Sequence, residues 1–382
     1  MKKAGIITYW QTKDNYGSIL QNYALQKVLA KYDIESETLY FRPDPQDTIN
    51  KVKNKNPIII CIKLFNYVIR KGYISYCNLK NKRRNFKFFI NSNIKTSPQI
   101  YCSELEKYCS NFDLCLVGSD QIWNTSNIPS NKIQLENSRA LFLGFAPKNS
   151  RKIACAVSFG KDNFNPNLLN HVSDLIHQFD FISVREHSGI DICKKMGVKN
   201  VFFQPDPTLL LSADSYRSLV KIPTEEQKFV LLYLLNNDTD FDISKLKKWA
   251  KNKKLKLIYI NGNTETIKIN LQKKVYPTIA EWISLIDNAE YIFTNSFHGT
   301  IFSIIMNKKF MTITQKGKFE EENTRFNNLL QLFNLQHRIF NGNYDNVNNS
   351  IDYTLINMKI EEIQRNSPFI NWLNTNITRN ND

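Results

Sequence analysis

Short apolar runs and longer amphipathic stretches follow one another along this chain in a regular order. Residues 4–9 form an apolar run of strand length, and the polar turn Lys13-Asp14-Asn15-Tyr16-Gly17 follows. From Ser18 to Ala30, apolar residues recur at helical spacing (Leu20, Ala24, Leu25, Val28, Leu29). Strand, glycine-containing loop and helix make the opening unit of a doubly wound α/β domain. Further strands are predicted at 37–41, 113–117, 152–157, 181–184 and 201–203. Gln204-Pro205-Asp206-Pro207-Thr208, with two prolines, breaks the pattern. The alternation then restarts, with strands at 229–235, 255–260, 291–294 and 310–313. Helices are predicted at 243–253, 279–287, 300–306 and 326–332, and residues 353–374 read as one or two helices packing back across the domains. A β/α order of this kind predicts parallel sheets in both halves. The expected organisation is an α/β chain with a Rossmann-like domain over 1–208, a connector over 209–226, a second Rossmann-like domain over 227–350 and a C-terminal helical segment over 351–382. Two such domains facing each other leave a cleft at the carboxyl ends of their strands, so chemistry is expected in the segments just after strands.

A length of 382 residues suits two domains, and 42% hydrophobic residues with 12% aromatics can fill two cores. Fibrous, repeat and largely disordered classes are excluded by this composition. The first residues lack the features of a secretory signal, and no apolar run reaches the roughly 18–20 residues of a membrane span. Seven cysteines stand without a CxxC pair, and no close Cys/His pair is present. Reduced thiols in a cytoplasm and no metal site are therefore expected.

The net charge of +16 is unevenly placed. Residues 48–103 hold twelve Lys or Arg and no Asp or Glu. The reading of this stretch is a basic, amphipathic helical insertion that meets an anionic membrane surface, with a plain solvated face as the alternative. No nucleic-acid-binding motif accompanies the charge, so nucleic acid is not an expected partner.

Four post-strand segments stand out: Asp14-Asn15-Tyr16-Gly17-Ser18, Val117-Gly118-Ser119-Asp120-Gln121-Ile122-Trp123, Ile182-Ser183-Val184-Arg185-Glu186 and Thr294-Asn295-Ser296-Phe297-His298-Gly299-Thr300. With Gln204–Thr208 and Arg325, this ordered set closely resembles the polysaccharide pyruvyl transferase family, from residue 4 to about residue 340. The resemblance implies a GT-B-like arrangement of two Rossmann-like domains around a cleft. It implies phosphoenolpyruvate as co-substrate, with no other cofactor, and a sugar of a cell-surface polysaccharide precursor as acceptor. The pyruvyl group would be joined to that sugar as a cyclic ketal, with release of phosphate. A lipid-linked acceptor and a peripheral position at the inner membrane face fit the basic segment.

The resemblance puts His298 in a general acid/base role, which suits an imidazole titrating near neutral pH. A neutral histidine capping a helix or filling the core is the alternative. Arg185, at a strand end, can hold the donor carboxylate or phosphate in a bidentate contact, or pair with Glu186. Gly118 and Ser119 offer a backbone cradle for phosphate. Asp120 serves as base for the acceptor hydroxyl, as an orienter of His298, or as an N-cap. Asn15, Gly17 and Ser18 form an anion-friendly turn without GxGxxG spacing, or an ordinary turn with a Ser18 cap. Ser296, Gly299 and Arg325 complete the expected donor-binding set, although Arg325 can equally pair with the glutamates before it. Asp206 reads as a turn residue and Trp123 as core. The runner-up function is a GT-B glycosyltransferase with a nucleotide-sugar donor, and a non-catalytic membrane-associated scaffold is the third.

Overall fold

In the computed structural model, residues 1–44, 82–124, 138–160, 164, 172–220, 227–236, 238–262 and 274–377 are described. Seven strands make the first sheet: β1 (Lys2–Ile7), β2 (Ile34–Arg42), β3 (Thr96–Tyr101), β4 (Leu114–Gly118), β5 (Arg151–Val157), β6 (Phe181–Val184) and β7 (Val201–Phe203). They are all parallel, in the order β3-β2-β1-β4-β5-β6-β7. Both faces of the central strands are covered: β4 is the wholly buried Leu-Cys-Leu-Val-Gly, and β1 and β5 turn apolar after the charged pairs Lys2-Lys3 and Arg151-Lys152 with which they begin. Strand order reverses between β1 and β4, which opens a crevice at their carboxyl ends.

Helix α1 (Tyr16–Ala30) follows β1. Its N-cap is Asn15, whose side chain accepts from the Ser18 backbone N–H at 3.2 Å, rather than Ser18. The helix is buried on nearly all sides, so its amphipathic pattern is weak. Of the expected basic helical insertion, residues 48–81 lie outside the described residues. The remainder corrects it in part: Phe86–Asn93 is helical, but Thr96–Tyr101 is the edge strand β3. Ile100 fills the core there, and Pro98 is tolerated because a sheet edge leaves amides unpaired.

The second sheet holds β8 (Phe229–Leu234), β9 (Lys256–Asn261), β10 (Lys274–Val275), β11 (Tyr291–Thr294) and β12 (Phe310–Thr312), again parallel, in the order β10-β9-β8-β11-β12. Its reversal lies between β8 and β11. Helices α2 (His187–Lys195), α3 (Ile279–Asn288), α4 (Phe297–Ile305) and α5 (Asn323–Leu332) flank the sheets. Thr278 and Glu281 close a capping box at α3. Ser296 caps α4 by accepting from Gly299 N–H at 3.1 Å, so this helix starts earlier than its apolar spacing indicates, and His298 sits within its first turn.

The described part of the predicted connector, residues 209–220, is built into the fold. Leu209, Leu210 and Leu211 are buried, and the short 3-10 turn Pro207–Leu210 packs under α1. Helices α6 (Tyr353–Asn366) and α7 (Pro368–Asn376) return to the first domain. There Phe369 N–H donates to Gln204 Oε1 at 3.0 Å, and Tyr32 donates to Asn374 Oδ1 at 2.9 Å. One apolar cluster runs through both domains, including Leu116, Trp282, Ile292 and Phe369. At its centre Tyr16 stacks on Trp282 with ring centroids 5.2 Å apart and donates to the Pro277 carbonyl at 2.7 Å. A shared core of this kind restrains domain motion, and the result is a GT-B-like pair of Rossmann-like domains facing a cleft. Among the described residues, no helix is long and apolar enough to cross a membrane.

Candidate active site

The two sheet reversals face one another, and a cavity of about 580 Å³ lies between them. The first domain contributes the segment after β1 (Thr8 to Thr12, Asn15, Ser18) and the segment after β4 (Asp120, Gln121, Ile122). The second contributes Leu235 after β8, Phe297 and His298 after β11, and Glu322 and Arg325 at α5. Ligands of doubly wound sheets bind at such places.

His298 is 6% exposed and reaches the cavity from the first turn of α4. Its Nε2 is turned inward to Asp206 Oδ2 at 3.4 Å, an ion-pair approach without hydrogen-bond geometry. Its other nitrogen, Nδ1, lies over Gly17, where a Cβ would come within 2.0 Å of it. Only glycine at 17 lets α1 approach so closely.

Asp206 is the hub beneath the histidine. Its Oδ2 accepts from Arg185 Nη1 at 2.7 Å and from Ser119 Oγ at 3.1 Å, while its Oδ1 accepts from Thr208 N–H and Oγ1 at 3.0 and 2.7 Å. Burial pushes this carboxyl up. The facing His298, when charged, and the Arg185 guanidinium outweigh that effect, and the carboxyl is held well below the usual carboxylate range. Arg185 also stands 3.8 Å from Asp120 Oδ1 and 3.8 Å from Glu186 Oε1. Burial acts to lower the Arg185 pKa, but these three carboxylates raise it on balance. Glu186 is the opposite case. Burial raises its carboxyl, and Arg185, the Ser158 hydroxyl and Arg325 only partly offset that.

Asp120 lies at the cavity wall in the left-handed region, with φ of 63°, a strained conformation for a non-glycine residue. Ser18 donates to its Oδ2 at 2.5 Å. The N-cap alternative for Asp120 fails, because residues 121–124 form a turn and no helix. Tyr9, on the same wall, has its phenol pushed up to about 12, by burial first and then by the Asp120 charge. Arg325 donates to Glu322 Oε2 at 2.5 Å. Gln121, with its amide oxygen turned toward Arg325, accepts from that guanidinium at 2.9 Å and so links the two domains. The guanidinium groups of Arg185 and Arg325 both lie against the Phe297 ring, at 4.8 and 5.5 Å from its centroid.

Of the residues singled out from the sequence, Asn15, Ser18, Asp120, His298 and Arg325 line the cavity. Gly17, Gly118, Ser119, Arg185, Ser296 and Gly299 do not. Gly118 packs on the Cys155 carbonyl, where a Cβ would come within 2.4 Å, and Ser119 is spent on Asp206. Ser296 is the cap of α4. Arg185, with its side chain 1% exposed, sits under the cavity floor rather than in it. Sequence reasoning missed Asp206, although it follows β7 as the other site residues follow their strands. It also missed Thr8–Thr12 and Gln121. Trp123 is core, stacked on Phe142 at 4.9 Å.

The sequence profile of one family, polysaccharide pyruvyl transferase, matches residues 15–317. The chain belongs to this family. It is thus a member of a transferase family connected with polysaccharides, and the family implies a sugar acceptor. The match begins at the Asn15 cap and includes His298, Asp206, Arg185 and Asp120, while Arg325 lies just beyond it. No curated protein matches the chain in sequence. Among solved structures, a putative UDP-N-acetylglucosamine 2-epimerase from Listeria monocytogenes is similar at 10% identity, with 95% of this chain and 96% of that chain covered and a TM-score of 0.47. The S. aureus MnaA–UDP structure is similar at 11% identity, covering 96% of this chain and 91% of that one, with a TM-score of 0.48. An alpha-glucosyltransferase in complex with UDP and DNA aligns at 10% identity over 99% of each chain, with a TM-score of 0.44.

Proposed function

We propose that this pyruvyl transferase takes its pyruvyl group from phosphoenolpyruvate and joins it to two hydroxyls of one sugar as a cyclic ketal, with release of phosphate. The observation that carries the proposal is the pairing of His298 with the buried Asp206–Arg185 unit, at the floor of a cleft that Arg325 also lines. A buried carboxylate behind an imidazole fixes the orientation of the ring, which a group positioned for proton transfer needs.

In the proposed reaction, Arg325 and the first turn of α1, capped by Asn15, hold the anionic end of the donor. The first sugar hydroxyl gives its proton through the His298 imidazole to C3 of the donor, while its oxygen bonds to C2. The C2–O bond to phosphate then breaks. The second hydroxyl closes the ketal, its proton passing by way of Asp120 to the departing phosphate. Arg185 acts from below: it fixes Asp206, and Asp206 orients His298. The acceptor is proposed to be a lipid-linked precursor at the inner membrane face, met by the basic stretch 48–103. Salt-sensitive binding to anionic vesicles supports this setting, and equal binding to neutral vesicles contradicts it.

The test of the reaction is direct. The protein is incubated with extracted lipid-linked glycans and either phosphoenolpyruvate or a panel of nucleotide sugars. A pyruvate ketal found by mass spectrometry, with phosphate released in step, supports the proposal. Transfer from a nucleotide sugar, with no ketal from phosphoenolpyruvate, overturns it.

A further inference from the structure

Beside the main cleft lies a second cavity of about 350 Å³. Asn15, Leu235 and Glu322 line both, so together they form a sill between the two spaces. Beyond the sill the second cavity is bounded by Asp14 from the first domain and by Asn236, Gln315 and Phe319 from the second.

The chemistry changes across the sill. The main cleft presents His298 and Arg325 to a ligand, beside the carboxylates of Asp120 and Glu322. Among the described residues lining the second cavity there is no Lys, Arg or His; there are two carboxylates, three carboxamides and an aromatic ring. The carboxamides are held in place. Asn236 Nδ2 donates to Gln315 Oε1 at 2.8 Å, and Gln315 Nε2 donates to the Asn295 carbonyl at 3.1 Å. Asn323 fixes the Gln315 backbone from both sides, donating to its carbonyl at 2.8 Å and accepting from its N–H at 2.9 Å. Asn15 Oδ1 and Gln315 Oε1, each with one hydrogen bond accepted, keep a lone pair as acceptor for a hydroxyl group. A partly buried ring beside them suits the apolar face of a sugar.

We infer that this second cavity is a subsite for the uncharged sugar residues of the acceptor glycan, next to the sugar that is modified. The inference rests on the proposed function for its direction, with the donor in the main cleft and the glycan leaving over the sill. His298 and Arg325 line the main cleft only, and this asymmetry draws a phosphorylated or otherwise anionic group to the His298 side. The size suits a small ligand fragment.

The experiment measures binding without turnover, so that it is independent of the donor. The probes are neutral disaccharides ending in galactose, glucose, mannose and N-acetylglucosamine, the matching methyl monosaccharides, and glucose 1-phosphate. Affinities are read by ligand-observed NMR on the wild type, on Phe319→Ala and on Asp14→Lys, with circular dichroism confirming that each variant is folded. The expected result is at least one neutral disaccharide bound tenfold or more tightly than its monosaccharide. That advantage is lost in both variants, and glucose 1-phosphate gains affinity only in Asp14→Lys. The inference is overturned if no disaccharide exceeds its monosaccharide, or if the advantage survives in Phe319→Ala. Disaccharide binding of the expected kind together with no ketal from phosphoenolpyruvate sinks the donor assignment and leaves this subsite standing.

Discussion

His298 occupies the space that a side chain on residue 17 would need: a Cβ there would fall 2.0 Å from Nδ1 and 2.1 Å from Cγ of the imidazole. The first turn of α1 and the first turn of α4 come from different domains, so this contact sets how the cleft closes around the histidine.

Gly17→Ala tests that contact. The added methyl group has to displace the imidazole or the helix, a strain of about 1–3 kcal/mol. A shift of about 1 Å in a reacting group can cost about 100-fold in rate. Phosphate release from phosphoenolpyruvate is expected to fall by about that factor while the protein stays folded by circular dichroism. Full activity in Gly17→Ala contradicts the placement of His298.

Asp206→Asn tests the hub. The substitution removes the charge partner of a guanidinium that is 1% exposed. Breaking a buried pair by removing one partner costs about 3–5 kcal/mol, and the lower end is expected here because Asp120 and Glu186 remain near Arg185. Urea unfolding at pH 7 measures this. An unchanged midpoint contradicts the account of Asp206 as the counter-charge of Arg185 and His298.

Much of this is legible in the sequence. Strands such as β4, β8 and β11 declare themselves as apolar runs, since parallel strands are covered on both faces, and the family resemblance together with positions just after strands singles out His298 and Asp120, which both line the cavity. The rest was hidden for physical reasons. Pro205 and Pro207 make Asp206 look like a turn residue, and it is one, capping the turn Pro207–Leu210. The same carboxylate also collects Arg185, Ser119 and His298 from chain segments that meet only in three dimensions. Arg185 could be placed at a strand end, but sequence does not tell that its guanidinium turns under the floor. Strand β3 was masked by Pro98 and by the basic run before it, and β10 is only two residues long.

The pH dependence of stability separates two buried carboxyls with opposite shifts. Asp206 has a lowered folded pKa, so its contribution is present above the unfolded value of about 3.9 and is lost as pH falls below it. Glu186 has a raised folded pKa, so the folded state binds its proton more tightly. Stability then declines as pH rises from the unfolded value of about 4.3 through the folded one. Glu186→Gln is expected to remove that decline, giving a flatter curve of urea midpoint against pH above about 4.3 than the wild type shows. Parallel curves for the two proteins contradict the assignment.

The central claim is that His298 moves the proton that starts the reaction. The most direct measurement is single-turnover phosphate release from phosphoenolpyruvate in the presence of acceptor glycan, in wild type and His298→Ala, in heavy water. The account predicts a loss of about 10²–10⁴-fold in the variant with the fold retained, and deuterium in the ketal methyl group formed by the wild type. Phosphate released at an undiminished rate by His298→Ala contradicts it.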